Sequence, residues 1–244
     1  MPIKENTRMA DVIHMNYLLL PILNRFDIQL GFGDKTIKEV CTDHHVNVDF
    51  FLEIINSFND DDYFPQTHLQ TFPLKLIIDY IQKSHNYYLN YKIPQIESLI
   101  GKLIEHSDTS QKKQMELIEK FFQEYKEELI IHIQNEENDV FPYILTIDTA
   151  FSLRKIDDTV KKLVHEKSID FFVDTHTNIE DKLYDLKNII IKYLPPARDY
   201  TSSNALLFEL FRLERDLNDH ARIEDKVLVP KVQFLESQIT GVLK

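Results

Sequence analysis

The sequence predicts an all-α protein, an up-down four-helix bundle preceded by a small N-terminal helical domain. The chain of 244 residues contains only 4 glycines and 9 prolines, and it is rich in residues that favour helices. Four long segments carry apolar residues at three- and four-residue spacing, which is typical of helices buried on one face. The connections between these segments are short, which favours antiparallel neighbours in a bundle.

An acidic, proline-containing stretch separates the two predicted domains. Residues 1–58 are expected to form the small helical domain, 59–72 the linker NDDDYFPQTHLQTF, and 73–240 the bundle. The four bundle helices are predicted at 73–106, 111–145, 167–194 and 203–238. The pattern of residues 150–166 is ambiguous and is compatible with a short extra helix.

Charge and cysteine content exclude several classes of protein. A net charge of −12 argues against a partner such as nucleic acid or an anionic membrane surface. Cys41 is the only cysteine, so a disulfide within the chain and an all-cysteine metal site are excluded. The chain has no apolar run long enough to span a bilayer, and its early apolar stretch does not resemble a signal peptide. We therefore expect a cytoplasmic protein.

The second half of the predicted bundle repeats the first. The repeat aligns IHIQNEENDVFP at 131–142 with DHARIEDKVLVP at 219–230, without a gap. The matched polar residues all lie on otherwise apolar helix faces, and the pairs are His132 with His220, Glu136 with Glu224, and His85 with His176. A pseudo-two-fold arrangement of the two helix pairs would bring all six side chains to one place in the core.

Four imidazoles and two carboxylates in a bundle core are the ligands of a metal site. Six ligands are too many for one tetrahedral zinc ion. Two metals could share them, with two histidines each, both carboxylates as bridges and an oxo or hydroxo group between them. Iron is favoured, and manganese and zinc remain open. A single histidine on an apolar helix face is more often a hydrogen-bonded core residue than a metal ligand. A single His-x-x-x-Glu pair is commonly a surface ion pair. The prediction of a metal site therefore depends on the repetition of these residues in both halves of the bundle.

At these motifs the sequence resembles the di-iron iron–sulfur cluster repair proteins, or repair of iron centres family, of the hemerythrin-like superfamily. The resemblance is carried by HNYYLNYKIPQIESLI, HIQNEENDVFPYI and LERDLNDHARIEDKVLVPKV. It implies a hemerythrin-like bundle with a non-haem di-iron centre, in which the two glutamates are bridges. The ligands implied by position are His85, His132, Glu136, His176, His220 and Glu224. His106 matches a further histidine of the family.

The N-terminal domain resembles that of the family only in part. Its core matches at NRFDIQLGFGDKTIKEVC, but Gly31 and Phe32 stand where the family usually has adjacent cysteines. Cys41 lies elsewhere and is expected to be a buried structural residue. In the bundle, Thr175 stands where members often carry an acidic residue. Glu128, one helical turn before His132, is a candidate carboxylate for orienting the metal ligands.

The resemblance implies repair of iron–sulfur clusters damaged by nitric oxide or oxidative stress. An alternative is a hemerythrin-like sensor or carrier that binds oxygen or nitric oxide reversibly. A third reading is a di-iron peroxidase or nitric oxide reductase, so whether the protein is an enzyme stays open. The expected partners are nitric oxide or oxygen and iron–sulfur client proteins, and a homodimer is left open.

Overall fold

The computed structural model describes residues 2–172, 177–193 and 200–241, and in these ranges the chain is helical apart from one isolated backbone bridge. The α-helices of the described residues are α1 Met9–Met15, α2 Leu20–Arg25, α3 Ile37–Asp43, α4 Val48–Asn59, α5 Gln66–Leu69, α6 Leu74–Tyr87, α7 Ile93–Glu105, α8 Thr109–Asn135, α9 Phe141–Ser152, α10 Asp158–Glu166, α11 Thr177–Tyr193, α12 Tyr200–Ile223 and α13 Val229–Thr240. Short 3₁₀ turns lie at Tyr17–Leu19 and Ile169–Phe171. None of the described helices has both the length and the apolarity needed to cross a membrane.

The chain divides into two compact units, Met1–Ser84 and His85–Lys244. The division falls inside α6. The domain limits predicted from the sequence, 1–58, 59–72 and 73–240, therefore remain a proposal. Each unit has its own buried core.

The first unit is built around an aromatic cluster. Phe26 meets Phe51 edge-on with ring centroids 5.0 Å apart and lies 5.4 Å from the ring of Tyr80. Such edge-to-face pairs add to the stabilisation that burial of the rings provides. Cys41 is fully buried in this unit, which confirms its expected burial. Burial raises the pKa of its thiol to about 12, so the thiol stays protonated at neutral pH.

The second unit contains the four-helix bundle. Helix α7 packs against α8 and α12, and α11 packs against the same two helices, which closes a ring of four neighbours. Apolar residues of all four helices meet inside this ring, including Ile96, Phe122, Leu186 and Leu213. The predicted all-α four-helix bundle is thereby confirmed, and α10 supplies the short extra helix after the second bundle helix.

The third bundle helix differs from the sequence-based prediction. Its described part begins at Thr177 rather than at 167. Residues Ile169–Phe171, which the prediction placed in this helix, form a 3₁₀ turn instead, because the buried Glu236 carboxylate accepts hydrogen bonds from the Ile169 N–H (2.8 Å) and the Ser168 hydroxyl (3.0 Å). A contact with α13 thus fixes a segment whose local pattern alone indicated helix.

Among the residues that the structure describes, three π-helical turns interrupt the bundle helices, and we number them π1, π2 and π3. They span Tyr88–Lys92, Glu136–Val140 and Glu224–Leu228. Each is followed by a proline in the first turn of the next helix, namely Pro94, Pro142 and Pro230. Proline has no N–H to donate to the carbonyl four residues earlier, and its ring crowds that carbonyl. A wider π turn relieves both problems, and such turns are frequent at functional sites.

Candidate metal centre

Three of the bundle segments place histidine and glutamate side chains in one buried cluster. His85 lies near the end of α6, His220 near the end of α12, and Glu136 and Glu224 are the first residues of π2 and π3. Ligand atoms of these four residues all lie within 4.8 Å of one another. The residues are 2%, 6%, 0% and 1% exposed, respectively. The repeated motifs of the sequence therefore meet in the core of the second unit.

The nitrogen and oxygen atoms of the cluster face one another at short range. His85 Nε2 lies 3.1 Å from His220 Nε2 and 3.1 Å from Glu136 Oε2. His220 Nε2 lies 3.0 Å from Glu224 Oε1. The two imidazoles thus direct their Nε2 atoms at each other and at both carboxylates, a donor set that can close around a cation.

Glu136 also reaches a histidine outside this cluster. Its Oε1 lies 3.2 Å from His132 Nε2, while its Oε2 faces His85. The two oxygens of one carboxylate therefore face two different imidazoles. The His132 side chain is 12% exposed, and its ring stacks on Phe172 with centroids 6.3 Å apart. Each oxygen of Glu136 can therefore act together with an imidazole nitrogen as a cation ligand.

Two histidines that the resemblance singled out cannot be assigned to the cluster. His176 lies outside the described residues, as does Thr175 before it. His106 directly follows α7 and is exposed. The other histidines read as surface residues, His44 and His45, are exposed as expected. The role of His176 as a ligand remains a prediction from the repeat.

The cluster has the chemistry of a cation site. Burying a carboxylate costs several kcal/mol unless positive charge offsets it, and Glu136 and Glu224 are both almost completely buried. Imidazole and carboxylate together suit iron, manganese and zinc. A divalent ion bound among the four residues would offset the charge of the two carboxylates, and the imidazole nitrogens that face each other would serve as its ligands. The residues present therefore fit the metal that the sequence predicts.

A further carboxylate holds the ring of His85. Glu137 Oε1 accepts a hydrogen bond from His85 Nδ1 at 2.8 Å, and Phe141 stacks on the same ring with centroids 5.8 Å apart. Burial lowers the pKa of His85, but hydrogen bonds to Glu136 and Glu137 outweigh it and raise the pKa to about 9. A metal that binds Nε2 therefore competes with a proton for this nitrogen.

Glu128, the carboxylate that the sequence favoured for this orienting role, is not at the centre. It forms an ion pair with Lys182 of α11, and its side chain is 43% exposed. Sequence reasoning missed Glu137 because it directly follows Glu136, and neighbouring residues on a helix point about 100° apart. Only the contact between His85 and π2 in the folded second unit shows that Glu137 can face His85 from there.

We expect Glu137→Ala to lower the metal affinity about 10- to 100-fold, as is typical when the outer partner of a metal-binding histidine is lost. Glu137→Gln keeps an acceptor oxygen for His85 Nδ1, so we expect it to lower the metal affinity less than Glu137→Ala does. Competition against a chelator of known affinity measures both effects. Glu127→Ala removes an exposed carboxylate of α8 and serves as the control; an equal loss in that variant would mean that Glu137 does not orient His85.

His220 has different surroundings from His85. Its ring and that of the fully buried Tyr88 meet edge to face, with centroids 5.6 Å apart. The Tyr88 hydroxyl donates to the Asp216 carboxylate at 3.2 Å, one turn before His220. No pattern in the sequence indicated this tyrosine, because it lies in π1, where the three- and four-residue spacing of the helix is interrupted.

Comparisons with known proteins agree with this geometry. Residues 78–232 match the model of the family described as the hemerythrin HHE cation-binding domain, and this range contains all the clustered residues. The chain is also similar to the iron-sulfur cluster repair protein ScdA of Staphylococcus haemolyticus (strain JCSC1435). The two are 19% identical over 199 residues, which cover 82% of this chain and 85% of that protein. Because this share exceeds what residues 78–244 can supply, the similarity extends into the first unit.

Proposed function

Since the chain belongs to the hemerythrin HHE cation-binding domain family, we propose that it is a di-iron protein that repairs iron–sulfur clusters damaged by nitric oxide or oxidative stress. The observation that carries the proposal is the Glu136 carboxylate, whose two oxygens face His85 and His132 at 3.1 and 3.2 Å. A carboxylate with a histidine at each oxygen supports two adjacent metal positions rather than one.

Residues of this chain can account for most of a two-metal site. His85, His220 and His132 supply imidazole nitrogens, Glu136 and Glu224 supply the shared carboxylates, and His176 is proposed as the remaining ligand. When bound, two irons would supply open coordination positions and one-electron redox chemistry. The buried glutamates fix the charge of the site, and Glu137 fixes the ring of His85 so that Nε2 points inward.

The net charge of the proposed two-metal centre favours the binding of small ligands over the storage of many metal ions. Two divalent ions bring four positive charges, and the two glutamates offset half of them. In ferritin-like sites four glutamates balance the charge. The proposed centre therefore keeps a net positive charge in a low-dielectric core, which favours an additional anionic or strongly polarisable ligand. Nitric oxide and oxygen at reduced iron are such ligands.

The similarity to ScdA supports cluster repair in particular. It covers most of both chains, so the first unit is included as well as the metal-binding bundle. The first unit lacks a reactive thiol, however, since Cys41 is buried and its pKa is raised to about 12. We therefore propose that any transfer of iron to a damaged cluster starts from the bundle and does not pass through a cysteine of the first unit.

A repair assay tests this function. The protein, loaded anaerobically with ferrous iron, is added to a purified iron–sulfur dehydratase that has been inactivated with nitric oxide. We expect dehydratase activity to return with the loaded protein and not with an equal amount of free ferrous iron. Iron analysis of the same sample, with about two irons per chain expected from the ligand set, shows whether a negative result reflects an empty site.

Reversible binding of nitric oxide or oxygen is the second candidate, and the buried Cys41 is the observation that favours it. A sensor or carrier needs no thiol for hand-off to a client. It would form a stable adduct with the loaded centre but leave the inactivated dehydratase unchanged. Full iron loading and a spectroscopic adduct without any repair would replace the first proposal by this one.

A further inference from the structure

We propose that three tyrosines of one segment, Tyr88, Tyr87 and Tyr91, form a path that carries oxidising equivalents from the metal centre to the protein surface, where a small reductant removes them. The inference rests on the proposed di-iron function and adds to it a protection of the centre against peroxides. It follows from the ring contacts, the burial and the hydrogen bonds of these three residues, which we call the tyrosine path.

The three rings follow one another from the core of the second unit to its surface. The ring of Tyr88 meets that of His220 with centroids 5.6 Å apart. Tyr87 lies 6.0 Å from Tyr88 and stacks on Tyr91 at 6.3 Å, both measured between ring centroids. Tyr88 is fully buried, Tyr87 is half-buried and Tyr91 is 65% exposed. Electron transfer weakens steeply with distance, so rings this close together form a path of short steps.

The local sequence places these rings in order. Tyr87 is the last residue of α6, and Tyr88 and Tyr91 belong to π1. A spacing of four residues puts Tyr87 and Tyr91 on the same side of the segment, whereas Tyr88 is turned into the core. Core packing explains the buried ring of Tyr88, but it does not require two further aromatic rings between Tyr88 and solvent. Because the same segment begins at His85, it links a proposed metal ligand to an exposed phenol.

The innermost tyrosine has a proton acceptor within hydrogen-bond distance. A tyrosine that loses an electron also gives up its phenolic proton. The Tyr88 hydroxyl donates to the Asp216 carboxylate at 3.2 Å, and the backbone carbonyl of Asp216 lies 3.3 Å away. A carboxylate at this distance can take the proton and return it when the phenol forms again. Tyr88 can therefore give up an electron without leaving an uncompensated positive charge on its ring in the core.

The middle ring lies beside a cation whose charge is offset. Lys92 Nζ is 5.7 Å from the ring centroid of Tyr87, and an isolated positive charge there would oppose the removal of an electron from the ring. The Glu209 carboxylate pairs with this ammonium group at 2.5 Å. Lys92 and Glu209 are both buried, so solvent does not separate them. The pair therefore leaves Tyr87 able to act as the middle step.

The redox step balances with hydrogen peroxide as the oxidant and a small thiol as the reductant. Hydrogen peroxide accepts two electrons and two protons as its O–O bond breaks, and two water molecules form. When a single ferrous ion at the centre gives one electron, Tyr88 gives the other. Tyr87 and then Tyr91 each restore the phenol before it, so the net loss is one electron and one proton from Tyr91, and solvent supplies the second proton. The thiol returns an electron and a proton to Tyr91 and becomes a thiyl radical.

Radical trapping tests the inference. Protein loaded anaerobically with ferrous iron is treated with one equivalent of ferricyanide per chain, which leaves one ferrous ion, and is then mixed with hydrogen peroxide. A nitroso spin trap marks the tyrosine that carries the radical, and peptide mass spectrometry locates the mark. We expect it on Tyr91, and we expect Tyr88→Phe to lose it, because phenylalanine keeps the ring but has no phenol to oxidise. Tyr184 of α11 is 58% exposed and should stay unmarked.

Two controls show that the mark depends on the tyrosine path. Tyr125→Phe removes another fully buried phenol of the same core and should keep the mark on Tyr91. Fully ferrous protein with one equivalent of peroxide should give little tyrosyl radical, because two ferrous ions supply both electrons. Equal marking of Tyr91 and Tyr184 in the wild-type protein, or a mark on Tyr91 that persists in Tyr88→Phe, would overturn the inference.

A second variant decides the question if circular dichroism shows that Tyr88→Phe does not fold. Tyr91→Phe changes an exposed residue, so the fold should be retained. Electron paramagnetic resonance of protein that contains ring-deuterated tyrosine identifies the tyrosyl radical. We expect an added thiol to remove this signal from the wild-type protein and to leave it in Tyr91→Phe, where the radical stays on the inner rings. Equally fast removal from both proteins would contradict a path that ends at Tyr91.

Iron analysis of the same samples separates this inference from the proposed function. Bound iron without any tyrosyl radical would overturn the tyrosine path and leave the repair function standing. A mark on Tyr91 together with failure of the repair assay would remove the proposed function but leave the tyrosine path in place. A chain that binds no iron would overturn both.

Discussion

Glu136→Ala is expected to leave the purified protein almost without metal. Glu136 is fully buried, and its two oxygens face His85 and His132. One substitution therefore removes a ligand from both proposed positions at once. Loss of an outer partner alone lowers metal affinity about 10- to 100-fold, and loss of a shared direct ligand should exceed that range. Mass spectrometric analysis of metal per chain, on protein produced with excess iron, measures the effect.

Two matched variants make this prediction specific. Glu224→Ala should also lose metal, because Glu224 Oε1 contacts His220 Nε2 at 3.0 Å. His44→Ala removes an exposed imidazole of the first unit and should retain the metal content of the wild-type protein. If all three variants kept or lost metal equally, the four clustered residues would not be the metal ligands.

Periodicity and the internal repeat were sufficient to predict the four-helix bundle and to single out all four residues of the buried cluster. The spacing of His132 and Glu136 places both on the buried face of one helix, and the repeat identified His220 and Glu224 as their counterparts. These signals are local or come from comparing two segments of one chain. They do not depend on knowing which helices are neighbours.

Contacts between helices explain what the sequence did not predict. Glu128 has the correct helical phase for the centre, but Lys182 of α11 pairs with it instead. The turn at Ile169–Phe171 exists because Glu236, far along the chain, accepts its hydrogen bonds. Glu137 becomes the partner of His85 only once the second unit has folded and brings the two residues, 52 positions apart, into contact. None of these three outcomes can be derived from the period of apolar residues.

Removal of the metal is expected to lower the melting temperature by on the order of 10 °C. A ligand that binds only the folded state stabilises it by about 4 kcal/mol when its free concentration is about 1,000 times Kd. For a protein of this size each kcal/mol corresponds to about 2–4 °C. The loss should be large here because the clustered ligands lie in the bundle core, where metal-free carboxylates remain buried.

Calorimetric scans of the iron-loaded and chelator-treated protein measure this difference, and metal analysis must confirm that the treated sample is empty. The Glu136→Ala variant provides the control, because a chain that cannot hold the metal should melt at the same temperature with and without chelator. An unchanged melting temperature of the wild-type protein after confirmed removal would mean that the metal binds outside the core. The buried histidines and glutamates would then be polar core residues that stabilise one another, and the proposed repair function would lose its chemical basis.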